Sequence, residues 1–247
     1  MSTSGEKRPV AVITGAGTGI GRAAAIALAN RGWNLVLAGR RPEPLEDTAD
    51  ACLKADAACR PMPMPTDVSD AQQCRRLIDE TVAAFDRLDA LINNAGGGPV
   101  GPVSEATPND ISESFTINAF APAWLIHFAW PTFERQGAGC VINVSSMAAH
   151  DPFPGLFAYG AAKAACESMI RSVRNERGEL AIRAFGVAPG AVETDLLRSY
   201  FDESIVPRSA TMTPDDIARV IVACACGEMD DRDGQTIMVS EPLPQFA

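Results

Sequence analysis

Short apolar runs alternate with longer helical stretches along the whole chain, and this alternation limits the folds it can adopt more than any other feature. Val10–Thr14, Asn34–Ala38, Leu88–Asn93, Gly139–Ser145, Ile182–Ala188 and Thr236–Val239 read as buried strands. A weaker run over Arg60–Pro65 contains three prolines, which suits a strand end or a sheet edge, where a missing N–H is tolerated. Helical patterns occupy 19–31, 43–58, 70–86, 108–135, 156–177 and 214–227. Thr213-Pro214-Asp215-Asp216 is a good helix start, with a capping hydroxyl, a first-turn proline and two acids at the positive dipole end. Strands apolar on both faces, alternating with helices, predict a doubly wound α/β/α sandwich around a seven-stranded parallel sheet. No Gly/Ser linker or internal repeat divides the chain. A frayed tail is expected over 1–8 and a single domain over 9–247.

Charge narrows the partners. Lys and Arg number 21 against 31 Asp and Glu, for a net charge of −10, which argues against nucleic acid or an anionic membrane surface. Any ligand phosphate must be held by local geometry and a few placed cations. The seven cysteines show no framework spacing and no signal peptide precedes them, so reduced thiols and a cytoplasmic location are expected. Cys224 and Cys226 lack the partners of a zinc site, and no metal is expected. Ser114 to Phe133 carries no Asp, Glu, Lys or Arg, but it contains Asn118, Pro122, His127 and Pro131. A bilayer helix would resist that mixture, so the stretch is read as a buried helix at a core or subunit interface, with His127 as a satisfied core residue.

The first strand runs straight into Thr14-Gly15-Ala16-Gly17-Thr18-Gly19-Ile20-Gly21 and an Ala-rich helix. Glycines at such a turn let the backbone approach a pyrophosphate, whose charge then meets the helix N-terminus. The strict G-x-G-x-x-G spacing is absent, and no Gly-Lys-Ser/Thr follows to make a Walker loop. Thr14-Gly15 with Gly19-Ile20-Gly21 resembles the cofactor turn of the short-chain dehydrogenase/reductase family. The family's other motifs follow in order: Asp67, Asn93-Asn94-Ala95-Gly96, Asn118, Ser145-Ser146, Tyr159-Gly-Ala-Ala-Lys163, and Pro189-Gly190 with Thr194. The likeness covers roughly residues 9 to 195 and points to bacterial carbonyl and 3-oxoacyl reductase-like members with a Rossmann-type fold.

That resemblance implies an NAD(P)(H)-dependent oxidoreductase that reduces a carbonyl or oxidises a secondary alcohol by hydride transfer. It implies Asn118, Ser146, Tyr159 and Lys163 as the catalytic set, with Tyr159 as acid/base. A carbonyl accepting hydride develops alkoxide character and needs a proton donor. An unperturbed phenol, near 10, is too high for easy proton traffic at neutral pH, and an ammonium beside it favours the phenolate. Tyr159 and Lys163, four positions apart, share one helix face. Ser146, at the end of a strand, could hold the carbonyl oxygen; Ser145 beside it should point to the other face. Pro122 has no N–H to give the Asn118 carbonyl, which leaves that carbonyl free for other use; in the family it holds a proton-relay water.

For the cofactor, the resemblance implies Gly15, Thr18, Gly19, Ile20, Arg40, Asp67, Val68, Asn94, Ala95, Gly96, Tyr159, Lys163, Pro189, Gly190, Val192 and Thr194. It sets Asn93 beside the adenine ribose and Asp67 by the adenine ring. The second strand ends in Gly39-Arg40-Arg41 with no acid; a guanidinium grips a phosphate bidentately, so NADP(H) is favoured, with NAD(H) as the alternative. Pocket walls are expected from Met147–Phe157 and Leu196–Ile205. Ser146, His150, Phe153, Tyr159 and Leu197 are the candidate substrate contacts in a pocket that is mostly apolar, with His150 and Asp151 as its polar exceptions. The tail Val239–Pro244 lacks the family's usual Asp-Gly-Gly. A homodimer or homotetramer is implied, through the 108–135 and 156–177 helices. Two other classes fit less well. A silent NADP-binding sensor has no need of the complete tetrad, and epimerases or dehydratases usually carry an extra substrate domain.

Overall fold

The computed structural model describes residues 8–241; most of the expected tail (1–7) and the chain end beyond Glu241 lie outside the described residues. Arg8, counted with the tail, is ion-paired to Asp56 at 2.6 Å. Seven parallel strands form one sheet: β1 (Val10–Thr14), β2 (Asn34–Gly39), β3 (Pro61–Pro65), β4 (Ala90–Asn93), β5 (Ala138–Val144), β6 (Ala181–Pro189) and β7 (Thr236–Val239). Their order is β3-β2-β1-β4-β5-β6-β7. The direction of winding reverses between β1 and β4, which leaves a crevice at their carboxyl ends. Proline-rich β3 occupies a sheet edge, as its composition predicts.

Alternation along β1 shows how both faces are filled. Ala11 and Ile13 join one buried layer with Ala24 and Leu28 of α1 (Gly19–Asn30), Leu45 of α2 (Pro42–Ala55) and Ile217 and Ile221 of α8 (Pro214–Ala225). Val12 points the other way, to Leu77 of α3 (Ala71–Phe85), Phe133 of α5 (Ala121–Gln136) and Ile170 of α6 (Phe157–Glu176). Arg183 of β6 donates to the carbonyls of Cys224 and Ala225, satisfying groups that the end of α8 leaves unpaired. All seven cysteines are free and six are buried; burial pushes the Cys52, Cys74 and Cys140 thiols up to about 12.

The long helix expected over 108–135 is three pieces. α4 (Pro108–Phe115), capped by a Thr107–Asp110 box, runs into a π-helical turn over Thr116–Phe120 and then α5. Pro122 explains the break: in a regular turn its ring would collide with the Asn118 carbonyl. The chain widens instead, and the Ala121 N–H reaches the Thr116 carbonyl. His127 is exposed against the Phe128 ring at 5.3 Å, so the expectation of a core histidine is corrected. Among the described residues no helix is long and apolar enough to cross a membrane. A short helix, α7 (Asp195–Tyr200), was not foreseen; its single hydrophobic turn carries no periodicity long enough to read.

Candidate active site

A cavity of about 980 Å³ opens along the carboxyl ends of the central strands. One half is built by the glycine turn. Thr14 Oγ1 accepts from the backbone N–H groups of Asn94 and Ala95, both at 3.0 Å. Asn94 Nδ2 donates in return to the carbonyls of Thr14 (2.9 Å) and Gly15 (3.3 Å). These bonds clamp the ends of β1 and β4 at the switch point. Gly19 starts α1 at φ +52°, and a Cβ on Gly21 would stand 2.3 Å from the Gly15 carbonyl oxygen; only glycine lets the helix begin this close to the turn.

Gly15, Thr18, Gly19, Ile20, Arg40, Asp67, Val68, Asn94, Ala95 and Gly96 all line this half, and Pro189, Gly190, Val192 and Thr194 line it from β6 onward. Arg41 lines it as well, beside Arg40, and neither guanidinium has an ion-pair partner among the described residues. Asn93 departs from expectation. It is buried, absent from the cavity wall, and its Nδ2 donates to Asn143 Oδ1 of β5 at 2.8 Å.

The residues expected to carry the chemistry converge at the other end. Ser146 follows β5 directly, and its Oγ accepts from the Ala148 N–H at 3.1 Å. Tyr159 and Lys163 face the cavity from the first turns of α6. Lys163 is almost fully buried; its Nζ donates to the Val144 carbonyl at 2.7 Å and lies 5.7 Å from the centre of the Tyr159 ring. Ser145 turns its hydroxyl to α6, donating to Glu167 Oε1 at 2.6 Å, as strand alternation requires. Asn118 stands one layer behind the wall. Fully buried, it donates to the carbonyls of Gly97 (2.7 Å) and Ser114 (2.8 Å), while its Oδ1 accepts from the Gly97 N–H (3.2 Å).

Of the expected substrate contacts, Phe153 and Leu197 border the cavity with Ser146 and Tyr159, and the Phe153 ring packs on Phe201 at 6.0 Å. His150 does not; its Nε2 sits 3.1 Å from the buried Glu167 carboxylate, outside the cavity lining. A glutamate one turn beyond Lys163 draws the imidazole away, and spacing alone could not reveal that. Asp151 does line the cavity. The unforeseen wall is α4. Asn109, Ser112, Glu113 and the following Thr116 face the cavity at helical spacing, a polar stripe that reads in sequence like any solvated face.

Across from it, the segment between β6 and α8 folds over the mouth. A parallel bridge pairs Val192 with Met212 and closes its base. Thr194 caps α7 by accepting from the Leu197 N–H at 3.2 Å. Arg198 and Arg208 both pair with Glu193, and the Arg198 hydrogen bond, the largest influence, holds that carboxyl down at about 2. Tyr200 reaches back to the loop after β4: its hydroxyl donates to the Gly98 carbonyl and accepts from the Gly98 N–H, both at 2.8 Å. Burial pushes this phenol upward, and the neighbouring Tyr159 and Glu113 push it the same way against the Gly98 hydrogen bond.

Residues 9–204 match the family described as short chain dehydrogenase. The chain belongs to that family. It is similar to the 7alpha-hydroxysteroid dehydrogenase of Escherichia coli (strain K12), 32% identical over 208 residues that make up 83% of this chain and 79% of that one. Among solved structures it resembles a 7 alpha-hydroxysteroid dehydrogenase complexed with NADH and 7-oxo glycochenodeoxycholic acid, with a TM-score of 0.88 and 27% identity over 98% of this chain and 100% of the other. It also resembles an alcohol dehydrogenase from the archaeon Thermococcus sibiricus complexed with 5-hydroxy-NADP, with a TM-score of 0.82 and 25% identity over 97% and 100% of the two chains. As a member of the family, this short chain dehydrogenase is an oxidoreductase of carbonyl and alcohol groups.

Proposed function

We propose that this chain interconverts a ketone and a secondary alcohol with NADP(H) as its preferred cofactor. The observation that carries the chemistry is the meeting of Ser146, Tyr159 and Lys163 on one cavity wall that is continuous with the glycine turn. The turn suits a dinucleotide: the approach of Gly21 to Gly15 leaves no room for a side chain, and the start of α1 offers backbone N–H groups and its positive dipole end to a pyrophosphate. Arg40 and Arg41, on the cavity rim and without carboxylate partners among the described residues, support a contact to a 2′-phosphate. Asn94 takes the place at the adenosine ribose that the resemblance gave to Asn93.

When bound, the nicotinamide supplies hydride to the carbonyl carbon or takes it from the alcohol. The protein supplies the rest. Ser146 Oγ holds the substrate oxygen, Tyr159 gives it a proton as negative charge develops there, and in the reverse direction Tyr159 takes the proton back. Lys163 places a positive charge beside the Tyr159 ring and favours the phenolate that proton transfer leaves. Asn118 acts as a positioning residue, fixing Gly97 next to the Gly96 that borders Lys163.

The substrate half joins an apolar wall (Phe153, Leu197, Phe201) to the polar α4 stripe, which suits a small molecule with an apolar and a hydroxylated side. Residues 9–247 serve as one catalytic unit. Phe120 and Phe157 are each 48% exposed, and Phe115 and Trp124 lie tilted against the Phe120 ring at 6.5 and 6.1 Å; these exposed aromatics support a homodimer or homotetramer packed through α5 and α6. Free, buried thiols suit the cytoplasm.

The test is titration of the purified protein with NADPH and NADH, followed by reduced-nicotinamide absorbance against a panel of ketones, diketones and secondary alcohols. Turnover that disappears in Tyr159→Phe upholds the proposal. Tight nucleotide binding without turnover in either direction overturns it in favour of a sensor.

A further inference from the structure

The loop after β4 is gripped from both sides. Behind it, Asn118 exchanges two hydrogen bonds with Gly97. In front of it, Tyr200 of α7 exchanges two with Gly98. Neither position has room for a side chain. Gly97 and Gly98 hold φ of +137° and +146°; a Cβ on Gly97 would stand 3.3 Å from the Tyr200 hydroxyl, and one on Gly98 would stand 2.8 Å from Ser114 Oγ. Ser114 is fully buried, and its hydroxyl has no hydrogen-bond partner. The next glycine upstream, Gly96, is wedged against the reacting set: its Cβ position lies 3.0 Å from both Asn118 Oδ1 and Lys163 Nζ. A displacement of Gly98 therefore has a short path to the lysine that serves Tyr159.

We infer that Tyr200 is a positioning residue that joins closure of the substrate wall to assembly of the reacting set. This rests on the oxidoreductase reading of the same cavity. With the Tyr200 hydroxyl on Gly98, α7 covers the mouth and the Gly96–Gly98 loop presses against Asn118 and Lys163. With those bonds broken, α7 swings on the closed base at Val192 and Met212, and the loop loses its front support. The buried Ser114 hydroxyl lies where a shifted Gly98 backbone could find a hydrogen bond. The two grips, Asn118 behind and Tyr200 in front, thus act on the same three-glycine loop and through it on Lys163.

The test is a double-mutant cycle on kcat/KM with Tyr200→Phe and Asn118→Ala. Tyr200→Phe keeps the ring and removes both bonds to Gly98. It should lower kcat by about tenfold or more, since a displacement of the reacting groups by about an ångström costs on the order of 10²-fold. Once the loop is freed from either side, the second loss should be much smaller than the first, so the double variant should lie well short of the product of the single effects. A residue that merely supports the fold gives additive losses and similar effects on KM and kcat; either pattern overturns the inference. Hydrogen exchange on the wild-type protein reads the same coupling without turnover, independently of whether the oxidoreductase reading holds. The amides of 96–98 and 196–201 should exchange with matching protection and gain it together when nucleotide is added. Independent protection of the two segments overturns the inference even if both variants fail to fold.

Discussion

Asn118 and Gly97 are joined by a reciprocal pair of hydrogen bonds: the amide nitrogen donates to the Gly97 carbonyl at 2.7 Å and the amide oxygen accepts from the Gly97 N–H at 3.2 Å. Asn118 is fully buried. Asn118→Ala leaves the Gly97 N–H and carbonyl and the Ser114 carbonyl short of partners, at about 1–3 kcal/mol for each group left unsatisfied. The variant is expected to unfold at lower urea concentration and to lose about 10²-fold in kcat. Urea denaturation and steady-state rates on the same preparation check both. Unchanged rates in a destabilised protein would remove Asn118 from the positioning role.

Gly96 tests the same region from the opposite side. A methyl group there would sit 3.0 Å from both Lys163 Nζ and Asn118 Oδ1, tighter than ordinary contact, so the lysine must shift. Gly96→Ala is expected to lower kcat by about tenfold or more while the protein still folds. A crystal structure of the variant should show Nζ drawn off the Val144 carbonyl, to which it now donates at 2.7 Å.

The nucleotide preference has a direct test. A charge-assisted hydrogen bond contributes about 1.5–3 kcal/mol, which is roughly 10- to 100-fold in Kd. Replacing Arg40 and Arg41 together by Ala should weaken NADPH by that factor and leave NADH much less affected, as measured by calorimetric titration. Equal losses for both nucleotides would place the arginines away from the 2′-phosphate.

Acid should loosen the wall over the cavity mouth before it unfolds the sheet. The Glu193 carboxyl is held at about 2 against an ordinary 4.5, first by its hydrogen bond to Arg198. A carboxylate whose folded value lies below its unfolded one stabilises above 4.5, and that contribution fades as pH falls from 4.5 towards 2. Proteolytic nicking within 193–211 should therefore rise across that window. In Glu193→Gln the segment should be cut readily above it too, with no step between 4.5 and 2.

Thiol chemistry should be slow and selective. Six cysteines are buried and Cys226 alone is partly exposed. Burial raises all the thiols, Cys59 and Cys166 to about 11, so thiolate is scarce at neutral pH. Ellman's reagent should label Cys226 first, and the remaining six should react only on unfolding, with the kinetics of unfolding. Rapid labelling of several sites in the native protein would contradict the packing around α1, α8 and β5.

The sheet was legible because buried parallel strands are apolar throughout, and β1 and β7 carry in sequence the limits they have in the structure. The glycine turn and the Tyr159–Lys163 pair were legible as fixed residue types at fixed spacing, and the structure brings both to one cavity. What the chain hides depends on long-range partners. His150 looks like a pocket residue until Glu167, seventeen positions on, claims its imidazole. Asn93 and Asn94 are chemically identical, and strand alternation sends one into the core and the other to the cavity. The polar face of α4 reads like a solvated surface because solvent and a wet cavity ask for the same residues. Tyr200 meets Gly98 across 102 residues, a pairing that no local pattern announces.

The bridge between Val192 and Met212 gives the cavity wall between β6 and α8 a separate architecture. Glu193 N–H donates to the Met212 carbonyl and Met212 N–H to the Ala191 carbonyl, so the segment from 193 to 211 is closed at its base by one stapled stem, outside the register of β6 and β7. Such an insert can be lengthened, shortened or exchanged as a cassette without moving a strand, because loop closure grows dearer only slowly with length. Its one tie to the loop after β4 that the hydrogen bonds show among the described residues runs through Tyr200 and Gly98, so a graft of this stem that keeps Tyr200 is the natural unit for reshaping the cavity wall.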